Sequence, residues 1–260
     1  MKRKLWTGAF SEPFCPAWTC PSCKTGTLGL IPKSLVCEET KVSKEAHSHE
    51  EWHPSWSTYD FTAWTACGHC KGQVAIAGTG ELNQEYTGEH GEWDWVKEFK
   101  AKYWSPMPDM IDLPPTCPDD VKEAIRSAFT LHAIDRAACA GRLRVALEEL
   151  MGHQGVAMKK RTAKGTFVDL NLHDRLTEYQ KSEPEIGAQL MALKWLGNAG
   201  SHDSEVGSND LLDAFEVLED AIAEIIGQRK KRVTRLVKSL TRKFGKGGRG
   251  AKTKPPSAIR

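Results

Sequence analysis

The segment "SNDLLDAFEVLEDAIAEIIGQ" (208–228) has a clear helical periodicity. Its large apolar residues recur every three or four positions, which is the spacing of one face of an α-helix. They are Leu211, Leu212, Phe215, Leu218, Ile222 and Ile225. Ser208 or Asn209 is suited to the N-cap, because either side chain can accept a hydrogen bond from the first turn. A helix of this kind must bury its apolar face against other elements.

Four further helices are predicted upstream, at 119–134, 135–155, 170–182 and 183–200. Pro184 suits the first turn of the last of them, where its missing N–H is not needed. Amphipathic helices can bury their apolar stripes only against one another here. We therefore expect an antiparallel helical bundle over residues 121–227.

Two cysteine pairs, "CPSC" (20–23) and "CGHC" (67–70), are the strongest chemical signal in the chain. Paired knuckles of this type supply four thiolates at the spacing of a tetrahedral zinc site. A site closed by four thiolates leaves no position for a water, so this Zn²⁺ is expected to be structural. The predicted ligands are Cys20, Cys23, Cys67 and Cys70.

The 43 residues between the two pairs exceed the usual spacing of a zinc ribbon, so an insertion is expected there. The insertion contains "EAHSHEEWHPSW" (45–56). Its histidines form either a second metal site or part of a solvated acidic loop, and the sequence leaves both interpretations open. These residues are His47, His49 and His53.

The other four cysteines belong to no CxxC pair. Cys15 and Cys37 could each replace a ligand of the metal. Cys117 is interpreted as a linker residue and Cys139 as a small core residue.

Residues 1–104 hold six of the eight cysteines and eight of the nine tryptophans. The pieces "GTLGLIP" (26–32) and "GQVAIAG" (72–78) are typical of short strands. The proline-rich segment 105–120 suits neither a helix nor a central strand, and it predicts an extended linker along a surface. The predicted fold class is therefore α+β, with a small β-rich zinc ribbon followed by an all-α bundle.

The charge is distributed unevenly, although the chain as a whole carries only +2. Residues 228–260 contain 13 Lys and Arg and no Asp or Glu, which leaves residues 1–227 with a net charge of −11. Such a tail favours phosphate backbones, so we expect nucleic acid, RNA or DNA, as a partner. Within it, 229–244 can form a basic amphipathic helix. Its basic residues, the predicted nucleic-acid contacts, are Arg229, Lys230, Lys231, Arg232, Arg235, Lys238, Arg242 and Lys243.

No run of 18 apolar residues is present, and the start "MKRKLWTGAF" (1–10) lacks a secretory apolar stretch. We therefore expect a cytoplasmic protein without a membrane partner. No P-loop, dinucleotide-binding glycine motif or GxSxG motif occurs, which argues against an NTPase, a dehydrogenase or a serine hydrolase.

A resemblance rests on three segments: "WTCPSCKTGTLGL" (18–30), "LRVALEEL" (143–150) and "LKWLGNAGSHD" (193–203). Residues 6–227 resemble the family called domain of unknown function 4145, which looks related to the HEPN superfamily of helical bundles. The resemblance implies a HEPN-like bundle, a homodimer, and a protein partner in a prokaryotic antiphage defence system. Many HEPN proteins are metal-independent ribonucleases whose motif is an Arg followed four to six residues later by a His.

This chain departs from that motif, because Gly197 stands where the Arg would be. Helical spacing puts Lys194, Asn198 and His202 on one face. Arg144 and Glu148 likewise share a face of their own helix. If the two faces meet, Arg144 could replace the missing cation and Glu148 could orient it or His202.

Three interpretations of these five candidate residues stay open. They form a structural helix end, a nucleic-acid site without cleavage, or a metal-independent endoribonuclease that uses His202 with Arg144 or Lys194. The predicted function is a zinc-containing, HEPN-like protein that binds nucleic acid or a partner protein, with the endoribonuclease as the alternative.

Overall fold

The computed structural model describes residues 1–86, 93–199, 206–227 and 229–245. Its N-terminal part is an antiparallel sheet, and its C-terminal part consists mainly of helices. The predicted α+β class is confirmed. Among the described residues, none of the helices combines the length and the apolar composition that a bilayer crossing requires.

The N-terminal domain contains five strands and two short helices. In chain order they are α1 (Lys4–Thr7), β1 (Leu28–Leu30), β2 (Val36–Glu39), α2 (Lys41–Ala46), β3 (Thr58–Cys67), β4 (Gln73–Tyr86) and β5 (Trp93–Ser105). The strand order is β1–β3–β4–β5, and β2 also pairs with β3. Burial alternates along β3, as expected for a sheet with one covered and one exposed face.

Strand β4 is much longer than the piece predicted at 72–78, and no strand was predicted at the position of β5. A bulge lies between them at Ala77 and Gly78, where the register shifts. Glycine is required at 78, because a Cβ there would lie 2.0 Å from the carbonyl oxygen of Lys100. The two strands therefore approach closely just beyond the bulge.

The covered face of the sheet is lined with aromatic residues. Phe10, Phe61 and Phe99 pack together, with ring centroids 5.0 to 5.9 Å apart. At one end of this core, the ring of Trp6 contacts that of Trp104. Trp104 in turn stacks on His132, the C-cap residue of the first long helix. The centroid distances are 5.7 Å and 5.6 Å respectively. These rings join the core of the sheet to the helices.

Among its described residues, the helical domain contains six helices and one small hairpin. They are α3 (Asp119–Leu131), α4 (Arg136–His153), the strands β6 (Lys159–Arg161) and β7 (Phe167–Asp169), α5 (Leu172–Ser182), α6 (Pro184–Ala199), α7 (Ser208–Ile225) and α8 (Arg229–Phe244). Five of the six predicted apolar residues of α7 are buried. One of them, Phe215, packs against Phe129 with 5.2 Å between the ring centroids. The hairpin β6–β7 was not predicted.

The N-cap of α7 differs from the prediction. Gly207 is the N-cap, and Ser208 is the first helical residue. The backbone N–H of Gly207 donates to the carboxylate of Asp210 at 2.8 Å, so an acidic residue in the first turn replaces the expected Ser or Asn side chain.

The proline-rich segment is not simply an extended linker along a surface. Its first residue, Ser105, ends β5, and its last two begin α3. Met110, Ile111 and Cys117 are buried and belong to the core of the helical domain. The segment therefore contributes to the folding of the bundle, because three of its side chains fill the space beside the helices.

Candidate metal centre and helical-domain site

The four predicted cysteine ligands come together at one end of β3. Their sulfur atoms all lie within 4.8 Å of one another. The Cys20–Cys70 and Cys23–Cys67 sulfur pairs are each 3.7 Å apart. Four thiolates around a zinc with Zn–S bonds of about 2.3 Å would be separated by roughly 3.8 Å. The group could therefore hold a tetrahedral metal ion.

Each knuckle is built by the same backbone turn. The lysines that follow the second cysteines, Lys24 and Lys71, have positive φ values of 59° and 62°. This turn lets the next glycine close the loop: the N–H groups of Gly26 and Gly72 donate to Cys23 and Cys70 at 3.4 Å. The arrangement orients the sulfur atoms toward one another.

Hydrogen bonding at the first knuckle favours the thiolate form that a metal needs. The hydroxyl of Thr25 and the N–H of Gly26 donate to Cys23, and they lower the pKa of its thiol to about 5. Glycine is also required at 26, because a Cβ there would lie 2.4 Å from the sulfur of Cys67.

The three histidines of the insertion do not gather into a second site. His47 packs on Trp52, and His53 packs on Trp95. His47 also bonds the carboxylate of Glu39 at 2.8 Å. His49 packs on a further tryptophan. Within the described ranges the four cysteines are the only group with metal-ligand spacing, which favours the solvated loop.

The remaining cysteines have other surroundings. Cys15 and Cys37 are half-buried and lie outside the four-sulfur group. Cys117 is a core residue rather than a simple linker residue. Cys139 is fully buried, as predicted for a core residue, and burial raises the pKa of its thiol to about 12.

In the helical domain, a face of α4 meets a face of α6, which is the condition on which a shared site depends. The Arg144 guanidinium donates to the amide oxygen of Asn198 at 3.2 Å, and its Nε lies 3.4 Å from a carboxylate oxygen of Glu148. Arg144 and Glu148 are each about two-fifths exposed, so this group lies at the surface between two helices. It offers a cation, a carboxylate and an amide to solvent.

Comparison with family models assigns both parts of the chain. The model described as Domain of unknown function (DUF8608) matches residues 8–106, and the model described as Domain of unknown function (DUF4145) matches residues 125–243. Residues 125–243 belong to the DUF4145 family. A search of curated proteins and a search of solved structures find no match.

The resemblance to DUF4145 is thus confirmed for the helical domain. The N-terminal domain matches a family of its own, although the sequence resemblance had extended to residue 6. The match to DUF4145 also runs to residue 243 and so includes almost all of α8.

The other two predicted residues of the helical-domain site are placed differently. Lys194 is buried, and its ammonium lies 3.7 Å from the ring centroid of Trp195 on the same helix. This cation–π contact pairs Lys194 with an aromatic ring. His202 lies outside the described residues, and its place beside Arg144 stays a prediction.

Gly197 has a packing role in the DUF4145 domain. A Cβ at this position would lie 3.0 Å from the Cβ of Arg144 and 3.1 Å from the carbonyl oxygen of Ala140. Helix α4 therefore approaches α6 where the HEPN motif would place its Arg. A longer side chain at 197 would separate the two helices.

We expect Gly197→Val to lower the free energy of unfolding by about 1–3 kcal/mol, because the branched side chain overpacks this contact. Gly141 on α4 is the matched control, since a Cβ there has no neighbour within 4 Å. Gly141→Val should change stability by less than about 1 kcal/mol. Denaturant unfolding of both variants checks this, and equal effects would contradict the packing role.

An ion-pair cluster that sequence reasoning missed connects the metal centre to the DUF4145 domain. Asp109 accepts from Lys24 at 2.7 Å and from the Nε of Arg126 at 3.0 Å. Desolvation raises the pKa of Asp109, but the hydrogen bonds from Arg126 and Lys24 outweigh it and hold this pKa below its ordinary value. Lys24 directly follows a metal ligand, and Arg126 lies on α3. One carboxylate thus bridges the two domains.

Helix α8 carries the predicted nucleic-acid contacts. Its backbone is helical from Arg229 to Phe244, as the sequence predicted. The side chains of Arg235, Lys238, Arg242 and Lys243 are exposed. Of Arg229, Lys230, Lys231 and Arg232 only the backbone is described.

Proposed function

We propose that the chain is a zinc-containing protein that binds nucleic acid through α8. The observation that supports this is the charge of the helix: its 16 residues include eight basic and no acidic ones. Residues 1–227 carry a net charge of −11, so positive charge is concentrated on one element. Phosphate backbones attract such an element in a salt-dependent way.

The positions of the cations on α8 suit a phosphate backbone. Lys238 and Arg242 are one turn apart, on the side opposite the apolar residues of the helix. Arginine can contact a phosphate with two parallel hydrogen bonds, and lysine contributes a point charge. Contacts to phosphate carry no direct sequence information, so we propose binding without sequence preference.

Zinc is the proposed metal, because four thiolates at tetrahedral spacing are a soft donor set that disfavours Mg²⁺ and Ca²⁺. Its proposed role is structural, since all four positions are taken by sulfur. The site needs reduced thiols, which suits the proposed cytoplasmic location.

The test is the affinity for a labelled single-stranded RNA or DNA oligonucleotide, measured by fluorescence anisotropy over a range of salt concentrations. We expect log K to fall linearly with log [salt], with a slope set by the number of phosphates neutralised. Absence of binding at low salt would contradict the proposal.

A second candidate function is a metal-independent endoribonuclease, which the contact between Arg144 and Asn198 favours. Cleavage by the 2′-hydroxyl needs an acid or base, and His202 would supply it. It also needs a cation for the phosphate, which Arg144 would supply, with Glu148 orienting the guanidinium.

For the isolated chain we expect no RNA cleavage in the presence of chelator. We expect Arg144→Ala to lower the melting temperature by a few degrees, because it removes a helix–helix hydrogen bond of about 1 kcal/mol. Arg142→Ala is the matched control, since Arg142 is an exposed residue of the same helix. Cleavage that His202→Ala and Arg144→Ala abolish without a change in melting would establish the nuclease instead.

The proposed cellular setting is a prokaryotic antiphage defence system, with a protein partner of that system. It rests on the resemblance of the helical domain to HEPN proteins. Loss of protection against phage on deletion of the gene would support it.

A further inference from the structure

The outer face of the N-terminal sheet carries a continuous apolar patch. One row of paired residues crosses four strands, because Val36 pairs with Thr62, Thr62 with Ala77, and Ala77 with Tyr103. Trp64, one step along the same face of β3, pairs with Ala75. We call this the outer patch: Val36, Thr62, Trp64, Ala75, Ala77 and Tyr103.

Apart from Val36, the residues of the outer patch line a groove. Trp64 and Tyr103 stand on the two outer strands of β3–β4–β5 and are 50% and 55% exposed. Between them the central strand presents Ala75 and Ala77. The floor of the groove is therefore formed by small side chains and its walls by aromatic rings. The groove has a volume of about 500 Å³. Exposed apolar grooves with walls of this kind mark sites that bind a partner.

The rim of the groove is acidic. On the same face, the row beyond Thr62 contains Glu38 paired with Asp60, and both are exposed. Lys100, a basic residue on the same face, is 2.9 Å from Glu81, so its charge is compensated. Nucleic acid and anionic lipid would be repelled by this rim. A basic partner with an apolar stripe would complement it.

Helix α8 has the complementary surface. Its apolar residues lie along one side and are 49% to 72% exposed: Val233, Leu236, Val237, Leu240 and Phe244. Binding of phosphate alone gives no reason for such a stripe. A helix with one apolar face is stable when this face packs on another element. From Val233 to Phe244 the stripe extends over about 17 Å along the helix axis, which is enough to cross the strands of the patch.

We propose that α8 of one copy of this chain packs into the outer patch of a second copy. Both surfaces belong to the same chain and both are exposed in it, so the contact forms between chains. Reciprocal exchange of the two helices buries the patch of each copy and gives a closed two-fold dimer. Lys238 and Arg242 lie on the opposite side of α8 and stay available to phosphates. This inference goes beyond nucleic-acid binding and does not require it.

The test is sedimentation velocity of the full chain over a range of concentrations. We expect a dimer for the native sequence. Leu236→Glu on the helix and Trp64→Ala in the groove should each weaken dimerisation by about tenfold or more, because each removes a central apolar contact. The matched controls are Ser239→Glu, with the same charge change off the stripe, and Trp56→Ala, an exposed tryptophan outside the patch. Both controls should dimerise like the native chain.

Mixing the two variants separates the proposed exchange from other dimers. A pair made of Leu236→Glu and Trp64→Ala keeps one intact helix–patch contact, so the mixture should form more dimer than either variant alone. A monomer at every concentration, or dimers that Trp64→Ala leaves intact, would overturn the proposal. Zinc content and circular dichroism of each variant verify that it is folded. RNA affinity, measured on the same samples, reports separately on the phosphate-binding face.

Discussion

We expect loss of the metal to unfold the N-terminal domain. We expect one zinc per chain by elemental analysis, and loss of both the metal and the near-UV circular dichroism of the tryptophans in Cys23→Ser or Cys67→Ser. Structural zinc sites contribute apparent binding free energies of about 10–16 kcal/mol in small zinc-finger peptides, which exceeds the stability of a typical domain. The effect is therefore expected to be larger than that of any core substitution.

The position of the four cysteines is the reason why we expect the domain to depend on the metal. Cys20 and Cys67 are fully buried in the same core as Trp18. The sulfur of Cys20 lies 3.7 Å from that of Cys70, and the sulfur of Cys67 lies 3.7 Å from that of Cys23. Without a cation, deprotonated thiols at this spacing repel one another.

Cys37→Ser is the control for the metal, because Cys37 lies outside the four-sulfur group. It should retain one zinc per chain. A metal-free protein whose tryptophan signals stay native would contradict the structural role of the site.

Deletion of residues 228–260 should weaken nucleic-acid binding by at least about a hundredfold at moderate salt, and it should flatten the dependence on salt. The deletion removes 13 basic residues and leaves 23 basic and 34 acidic ones. The remaining chain would repel a polyanion. Anisotropy titrations at several salt concentrations measure both the affinity and the slope.

A shorter deletion, of residues 246–260, serves as the control because it keeps α8. It removes five of the 13 basic residues, so it should lose part of the affinity and keep part of the salt slope. If deletion of 228–260 leaves affinity and slope unchanged, the tail does not bind nucleic acid.

The features that the sequence predicted are those with a local physical cause. The three-to-four spacing of apolar residues places α7 correctly, because a helix repeats every 3.6 residues. The paired cysteines identify the metal centre, because each knuckle is a short turn with its own ligands. The meeting of Arg144 with Asn198 was expected only on the condition that α4 and α6 pack together, which the structure shows.

The features that the sequence did not reveal depend on distant contacts. Nothing local indicates that Met110 and Ile111 enter the bundle core from a proline-rich segment. The contact of Lys24 with Asp109 joins residues separated by 85 positions, for which no spacing rule exists. The lengths of β4 and β5 are set by their pairing with each other. This pairing continues beyond the apolar residues of either strand.

The bridge at Asp109 has a consequence for how the chain unfolds. Its carboxylate is held by a cation from the metal knuckle and by a cation from α3, and the rings of Trp104 and His132 stack beside the same junction. Unfolding of either domain would remove one cation from the desolvated carboxylate of Asp109. The loss of this partner would destabilise the domain that is still folded. We therefore expect melting of the sheet and melting of the helices to be thermodynamically coupled, so that the two family domains unfold in one transition rather than as two modules on a tether.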